Sequence, residues 1–132
     1  MTPLSPTDLS VTWLRRWAPH GPWVLTAIDA DEGFAEWHAA IAPLAARPNV
    51  FCKLSGLLTE CGSAPHVAIE PYAGGILELF GSERTMWGSD WPVLELAAGY
   101  GEWLELARDC VPVAAQEDVF ARTAARFYGL EA

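Results

Sequence analysis

The run MWGSDWPV, residues 86–93, ends an apolar stretch on a serine and an aspartate, with a tryptophan and a proline behind them. A carboxylate at the mouth of a buried strand is where a general base or a metal ligand is needed, which makes Asp90 a candidate for both roles. The same position also suits an Asx turn that caps the next segment, and spacing alone does not separate the two readings. Lys53 raises a parallel question inside the apolar run VFCKLSG. An ammonium within such a strand is costly unless an acid or a ligand meets it, so Lys53 is a candidate to hold an oxyanion or a substrate carboxylate. A lysine snorkelling from a sheet edge is the alternative. Ser55, Ser89, Asp29 and Asp31 fall at comparable places.

His66 could lean over the same strand mouths, and Trp91, next to Asp90, is a candidate substrate contact. His20 and His38 read as a turn residue and a solvent-side helical residue. No HxH or HExxH pattern occurs, so spacing offers little support for a metal site made by this chain alone. Gly74-Gly75 and Gly99 fit neither GxGxxG nor a Walker pattern after a strand. The tryptophans at 13, 17, 37, 87, 91 and 103 mostly follow helix or strand periods, which core packing explains. Cys52, Cys61 and Cys110 are odd in number with no CxxC, and read as buried free thiols.

Positioning these side chains requires a particular order of elements. Leu9, Trp13 and Trp17 recur at spacing four behind Asp8, with Pro19 and Gly21 as stops, and predict a helix over 8–18. WVLTAI, 23–28, reads as a strand. Phe34, Trp37, Ile41, Leu44 and Ala45 form one helical stripe before Pro48. NVFCKLSG gives a second strand. Pro71 opens a helix whose Tyr72, Ile76, Leu79 and Phe80 share a face, and Gly81 closes it. RTMWGS is a third strand, followed by a helix over 99–110. Beyond Pro112 a last helix is expected with Glu117 and Asp118 in its first turn, where they favour the dipole, and with Val119, Phe120, Ala124 and Phe127 buried. Strands about thirty residues apart, each a continuous apolar run, suit a parallel α/β sheet covered on both faces. In such sheets ligands gather at the carboxyl ends of the strands, which is where Lys53, Ser55, Ser89 and Asp90 stand.

Composition narrows the function classes. A net charge of −9 and an isoelectric point near 4.6 repel phosphate backbones and anionic membrane surfaces, so neither nucleic acid nor a membrane is an expected partner. No window holds eighteen uninterrupted apolar residues, and MTPLSPTDLS lacks the basic and apolar regions of a signal peptide, which points to the cytoplasm. Apolar residues make up 52% against 19% charged, enough to expect that some apolar surface is covered by a partner. Three parallel strands also leave sheet edges to cover.

PNVFCKLSGL, RTMWGSDWPV and ARTAARFYGL, in that order and at this spacing, resemble the amidohydrolase-related family, in particular its sugar lactonases of the fuconolactonase and rhamnonolactonase kind and its dicarboxylate lactonases. The likeness runs from about residue 34 to the end. It implies a (β/α)₈ TIM barrel with TMWGSD as its last strand, so the chain is expected to be the C-terminal portion, one partial domain over 1–132 with about three parallel strands and flanking helices. A whole barrel takes roughly 250 residues. By resemblance Asp90 matches the acid that serves as base on the attacking water and ligates a divalent, zinc-like metal where one is present. Lys53 and Ser55 match the KLSG stretch near the pocket, and a small lactone is the implied substrate. Two features depart from the family. The paired histidines of its first strand have no counterpart, and Thr26-Ala27-Ile28 stand where an Asp-His pair and Gly-Lys-Pro are usual. Those departures keep open a rival from another class: a catalytically silent barrel fragment or assembly module docked on a second copy or on a separate N-terminal barrel half. A free-standing doubly wound domain is a third, weaker fit.

Overall fold

Among the described residues the elements run β1 (Leu14–Arg16), β2 (Trp23–Leu25), α1 (Phe34–Ala45), β3 (Val50–Leu54), α2 (Glu70–Phe80), β4 (Thr85–Trp87), α3 (Tyr100–Cys110), α4 (Val113–Glu117) and α5 (Thr123–Tyr128), with a π-helical turn at Asp118–Arg122 joining the last two. The computed structural model describes residues 14–16, 23–25, 34–55, 57, 69–89 and 91–130. The strands lie in one sheet in the order β1-β2-β3-β4. β2, β3 and β4 are parallel, with Leu25 opposite Cys52 and Leu54 opposite Trp87. α1 and α2 sit in the two connections between them, as a parallel pairing requires.

β1 corrects the expected helix over 8–18. Residues 14–16 are a strand, antiparallel to β2, with Leu14 opposite Leu25. The spacing that pointed to a helix, Leu9-Trp13-Trp17, is four residues, and four is also two full periods of a strand. It therefore carried no information about which period applies.

α1 buries Trp37, Ile41 and Ala45, four residues apart, and sets Pro43 on its exposed side, where the carbonyl that loses its amide partner meets water. α2 carries Pro71 in its first turn and buries Ala73, Gly75, Ile76 and Phe80. A methyl group on Gly75 would lie 3.1 Å from Trp37 and 3.3 Å from Phe34, so the bare backbone is what lets the α1 aromatics lie against α2. Gly81 ends the helix at φ +71°, a region a side chain resists, and returns its N–H to Leu77 at 2.8 Å.

β3 alternates strictly. Val50, Cys52 and Leu54 are buried in the main core with Trp37, Ile41, Ile76 and Trp103, while Phe51 and Lys53 on the other face are half-buried. Phe51 meets Phe127 of α5 edge-on at 5.1 Å, with Met86 beside them, and so that second face is covered at its lower end by the C-terminal helix.

The last helix departs from expectation at its start. It begins at Val113 directly after Pro112, with no acid in its first turn, and Glu117 and Asp118 lie a turn further in. They act by pairing instead of through the dipole: Glu117 meets Arg122 at 2.7 Å, and Asp118 accepts the Ser82 hydroxyl at 2.8 Å. Val119 and Phe127 are buried as expected, while Phe120 and Ala124 are half-buried. Gly129, at φ +70°, closes the helix in a Schellman arrangement, its own N–H on Arg126 and that of Leu130 on Ala125 at 2.7 Å. No helix of the described residues is long and apolar enough to cross a membrane.

Candidate active site at the strand ends

The two ends of the sheet carry different chemistry. At the amino end of β4 the polar groups are consumed in holding elements together. Arg84 donates to the carbonyls of Ala45 and Arg47 at 2.8 Å and of Val50 at 3.0 Å, which satisfies the open end of α1 and its link to β3. Its guanidinium also lies 5.4 Å from the Phe80 ring, and the loss of water around it draws its pKa below the ordinary value. Thr123 donates to the Ser82 carbonyl at 2.6 Å and Arg126 to that of Glu83 at 3.0 Å.

The carboxyl end presents Lys53 without such employment among the described residues. Lys53 is in register with Met86, one step nearer the strand end than Phe51 and on the same face, and no ion pair to it occurs among the described residues. The Gly88 N–H extends the ladder past β4 by donating to Leu54 at 3.2 Å. That places Ser55, buried, directly beside Gly88: a methyl group there would lie 3.3 Å from the Ser55 Cβ. Gly88 keeps this mouth from closing on the serine.

α3 fixes the same point from behind. The Trp103 indole N–H donates to the Gly88 carbonyl at 2.9 Å, and its ring stacks near that of Trp87 at 6.3 Å. Beyond Gly88 the chain is held by a second set of bonds. The Trp91 N–H donates to the Ser89 hydroxyl at 3.3 Å, its indole N–H donates to Glu95 Oε1 at 3.0 Å, and the Glu95 N–H returns to the Pro92 carbonyl at 3.1 Å. The Trp91–Pro92 peptide is cis.

Lys53, Ser55 and Ser89 therefore follow one another at the carboxyl end of the sheet, and the exposed Trp91 is tied to Ser89 through its backbone N–H. Asp90 and His66 lie outside the described residues, as do Asp29, Asp31, His20 and Cys61. Of the remaining thiols, burial pushes Cys52 far above its ordinary pKa. Desolvation and then the charges of Glu70 and Asp109 raise that of Cys110. Among the described residues no group of three His, Cys, Asp or Glu side chains could hold a metal, and the strand-end groups on view are an ammonium, hydroxyls and an indole, which are not zinc ligands. Three supporting residues escaped the sequence reading: Gly88, Trp103 and Glu95. Only Glu95 had a local signal, its spacing of four from Trp91.

The chain is 44% identical over 103 residues to an L-fucono-1,5-lactonase of Burkholderia ambifaria, covering 72% of this chain and 36% of that one. It is 40% identical over 121 residues to an L-fucono-1,5-lactonase of Burkholderia multivorans, covering 83% and 41%. The chain thus spans about two fifths of the length of these curated relatives. The crystal structure of an amidohydrolase from Burkholderia multivorans with bound zinc superposes with a TM-score of 0.73 at 38% identity, over 80% of this chain and 43% of that one. The amidohydrolase family model matches residues 18–130, which takes in β2 to α5 and every strand-end residue discussed above, and the chain belongs to that family.

Proposed function

We propose that the chain is the C-terminal portion of a (β/α)₈ barrel, one partial domain over 1–132, whose strand ends serve to open a small sugar-acid lactone. The observation that carries this reading is the meeting of Lys53, Ser55 and Gly88-Ser89 at the carboxyl ends of adjacent parallel strands, immediately before Asp90, in a chain 40–44% identical to L-fucono-1,5-lactonases. In the proposed reaction the Asp90 carboxylate takes a proton from water as the water oxygen bonds to the lactone carbonyl carbon. The carbonyl electrons move onto oxygen, where the Lys53 ammonium steadies the negative charge. Collapse breaks the ring C–O bond, and the departing oxygen takes the proton from Asp90 to give the hydroxy acid. Ser55, His66 and Trp91 border the ring. The described residues do not form a zinc site among themselves, and Asp90 is the residue we assign to such an ion where further ligands come from elsewhere.

Assay of acid release from L-fucono-1,5-lactone tests the reading. Asp90→Asn is expected to lower kcat by about 10²- to 10⁴-fold with the fold intact; turnover that ignores the substitution refutes it.

One observation favours the second reading, a silent fragment or module that docks on another chain. The sheet has four described strands where a closed barrel has eight. Under that reading the chain alone shows no turnover, and light scattering detects a dimer or a complex with an N-terminal barrel half.

A further inference from the structure

Large apolar side chains stand exposed at Phe34, Trp91, Leu96, Tyr100, Val113 and Leu130. Phe34 leans on Trp37 and Tyr72, Tyr100 on Trp87, and the three aliphatic side chains have no polar atom to orient them. Trp91 is different. It is 63% exposed, yet its indole is tied at Nε1 to Glu95 while its backbone N–H is tied to Ser89. In the open, an indole N–H is satisfied by water, and holding the ring in one orientation costs side-chain entropy that no burial returns. A ring fixed and bare at once presents a face. That face belongs to the residue that directly follows Asp90 in the sequence.

We infer that Trp91 is a stacking platform for the C–H-bearing face of the sugar-lactone ring, and that Glu95 is its positioning residue. This rests on the lactone reading of the same strand ends. Sugar rings turn a face of weakly positive C–H bonds to one side, and the electron-rich face of an indole complements it. The bond from Trp91 to Glu95 sets the angle of the platform, and the short turn from Pro92 to Glu95 keeps the carboxylate within reach.

The test uses the full chain with L-fucose, a ring with no ester to hydrolyse, as the probe. The readout is the NMR resonance of the Trp91 indole N–H, assigned by its loss in Trp91→Phe. L-Fucose is expected to shift this resonance saturably. Trp91→Ala is expected to weaken fucose binding, followed at the Gly88 amide, by about tenfold, in keeping with the loss of an aromatic contact. Glu95→Leu is expected to displace the indole resonance in the free protein and weaken binding about threefold, while Glu95→Gln, which keeps an acceptor oxygen, restores both.

An indole resonance that stays still while the Gly88 amide shifts overturns the platform and leaves the lactone site standing. No shift anywhere overturns it as well. A resonance that ignores fucose but broadens with protein concentration shows a protein contact in place of the sugar face, and also overturns it. Conversely, a saturable Trp91 response in a chain with no lactone turnover retains the platform and sinks the hydrolase reading.

Discussion

Replacing Trp103 by Phe separates the scaffold behind the site from the site itself. Trp103 is buried, stacks near Trp87 and donates its indole N–H to the Gly88 carbonyl at 2.9 Å. Phe keeps most of the ring and loses the donor. Removing the donor leaves the half-buried Gly88 carbonyl without its partner, and an acceptor so orphaned costs about 2 kcal/mol. The missing part of the indole adds about 1 kcal/mol, a fraction of the roughly 3–5 kcal/mol for truncation to Ala. The sum, about 3 kcal/mol, is a large share of the stability of a small domain. With a urea slope of about 2 kcal/mol per M, the midpoint falls by about 1.5 M. Under conditions where the variant is still folded, kcat/KM for lactone hydrolysis is expected to drop about tenfold, because Gly88 anchors the backbone two residues before Asp90. Urea unfolding followed by tryptophan fluorescence, paired with the lactone assay, measures both. A midpoint within about 0.3 M of the parent, or a destabilised variant with full activity when folded, refutes the reasoning.

Two further outcomes follow from the polar groups away from the mouth. Arg84→Met keeps a long apolar stem near Phe80 but removes three bonds to carbonyls, and is expected to lower stability by about 2–3 kcal/mol in urea unfolding; a loss under about 0.5 kcal/mol contradicts the role given to those bonds. Cys52 is expected to be silent to a thiol reagent at pH 8 until the protein unfolds, with Cys110 slow and quickening as pH rises. Unfolded thiols ionise near pH 8.5 while folded Cys52 stays protonated, so stability holds below that pH and falls above it, a slope that Cys52→Ala reduces.

What was legible in the sequence depended on how many independent signals converged. α2 had a proline at its first turn, a four-residue apolar face and a closing glycine, and it stands where these placed it. β3 had a continuous apolar run with one lysine, and the alternation of its burial sets that lysine on the face away from α1 and α2. The helix expected over 8–18 has Asp8, Pro19 and Gly21 at its ends, but along its length only one spacing, shared by two periods, and a strand occupies 14–16. At the C-terminal helix the neighbouring acids Glu117 and Asp118 suggest a dipole cap, although Pro112 already supplies the start, and their employment is sideways, to Arg122 and Ser82. The strand-end grouping of Lys53, Ser55 and Ser89 was readable because a parallel sheet sends all its strand ends one way. The supports behind it were not. The bond from Trp103 to Gly88 joins residues on either side of a turn and a helix, and neither the Gly88 gap nor its fit to Ser55 leaves any mark in residue order.

The three-residue antiparallel strand β1 has a bearing on assembly. It lies along the outer border of β2, where a closed all-parallel barrel would seat a neighbour running the opposite way to β1. A bare border of that kind is a template for clumping with other chains. At three residues β1 is a short guard rail along that border, and under the proposed barrel reading it is the segment that a matching strand would displace.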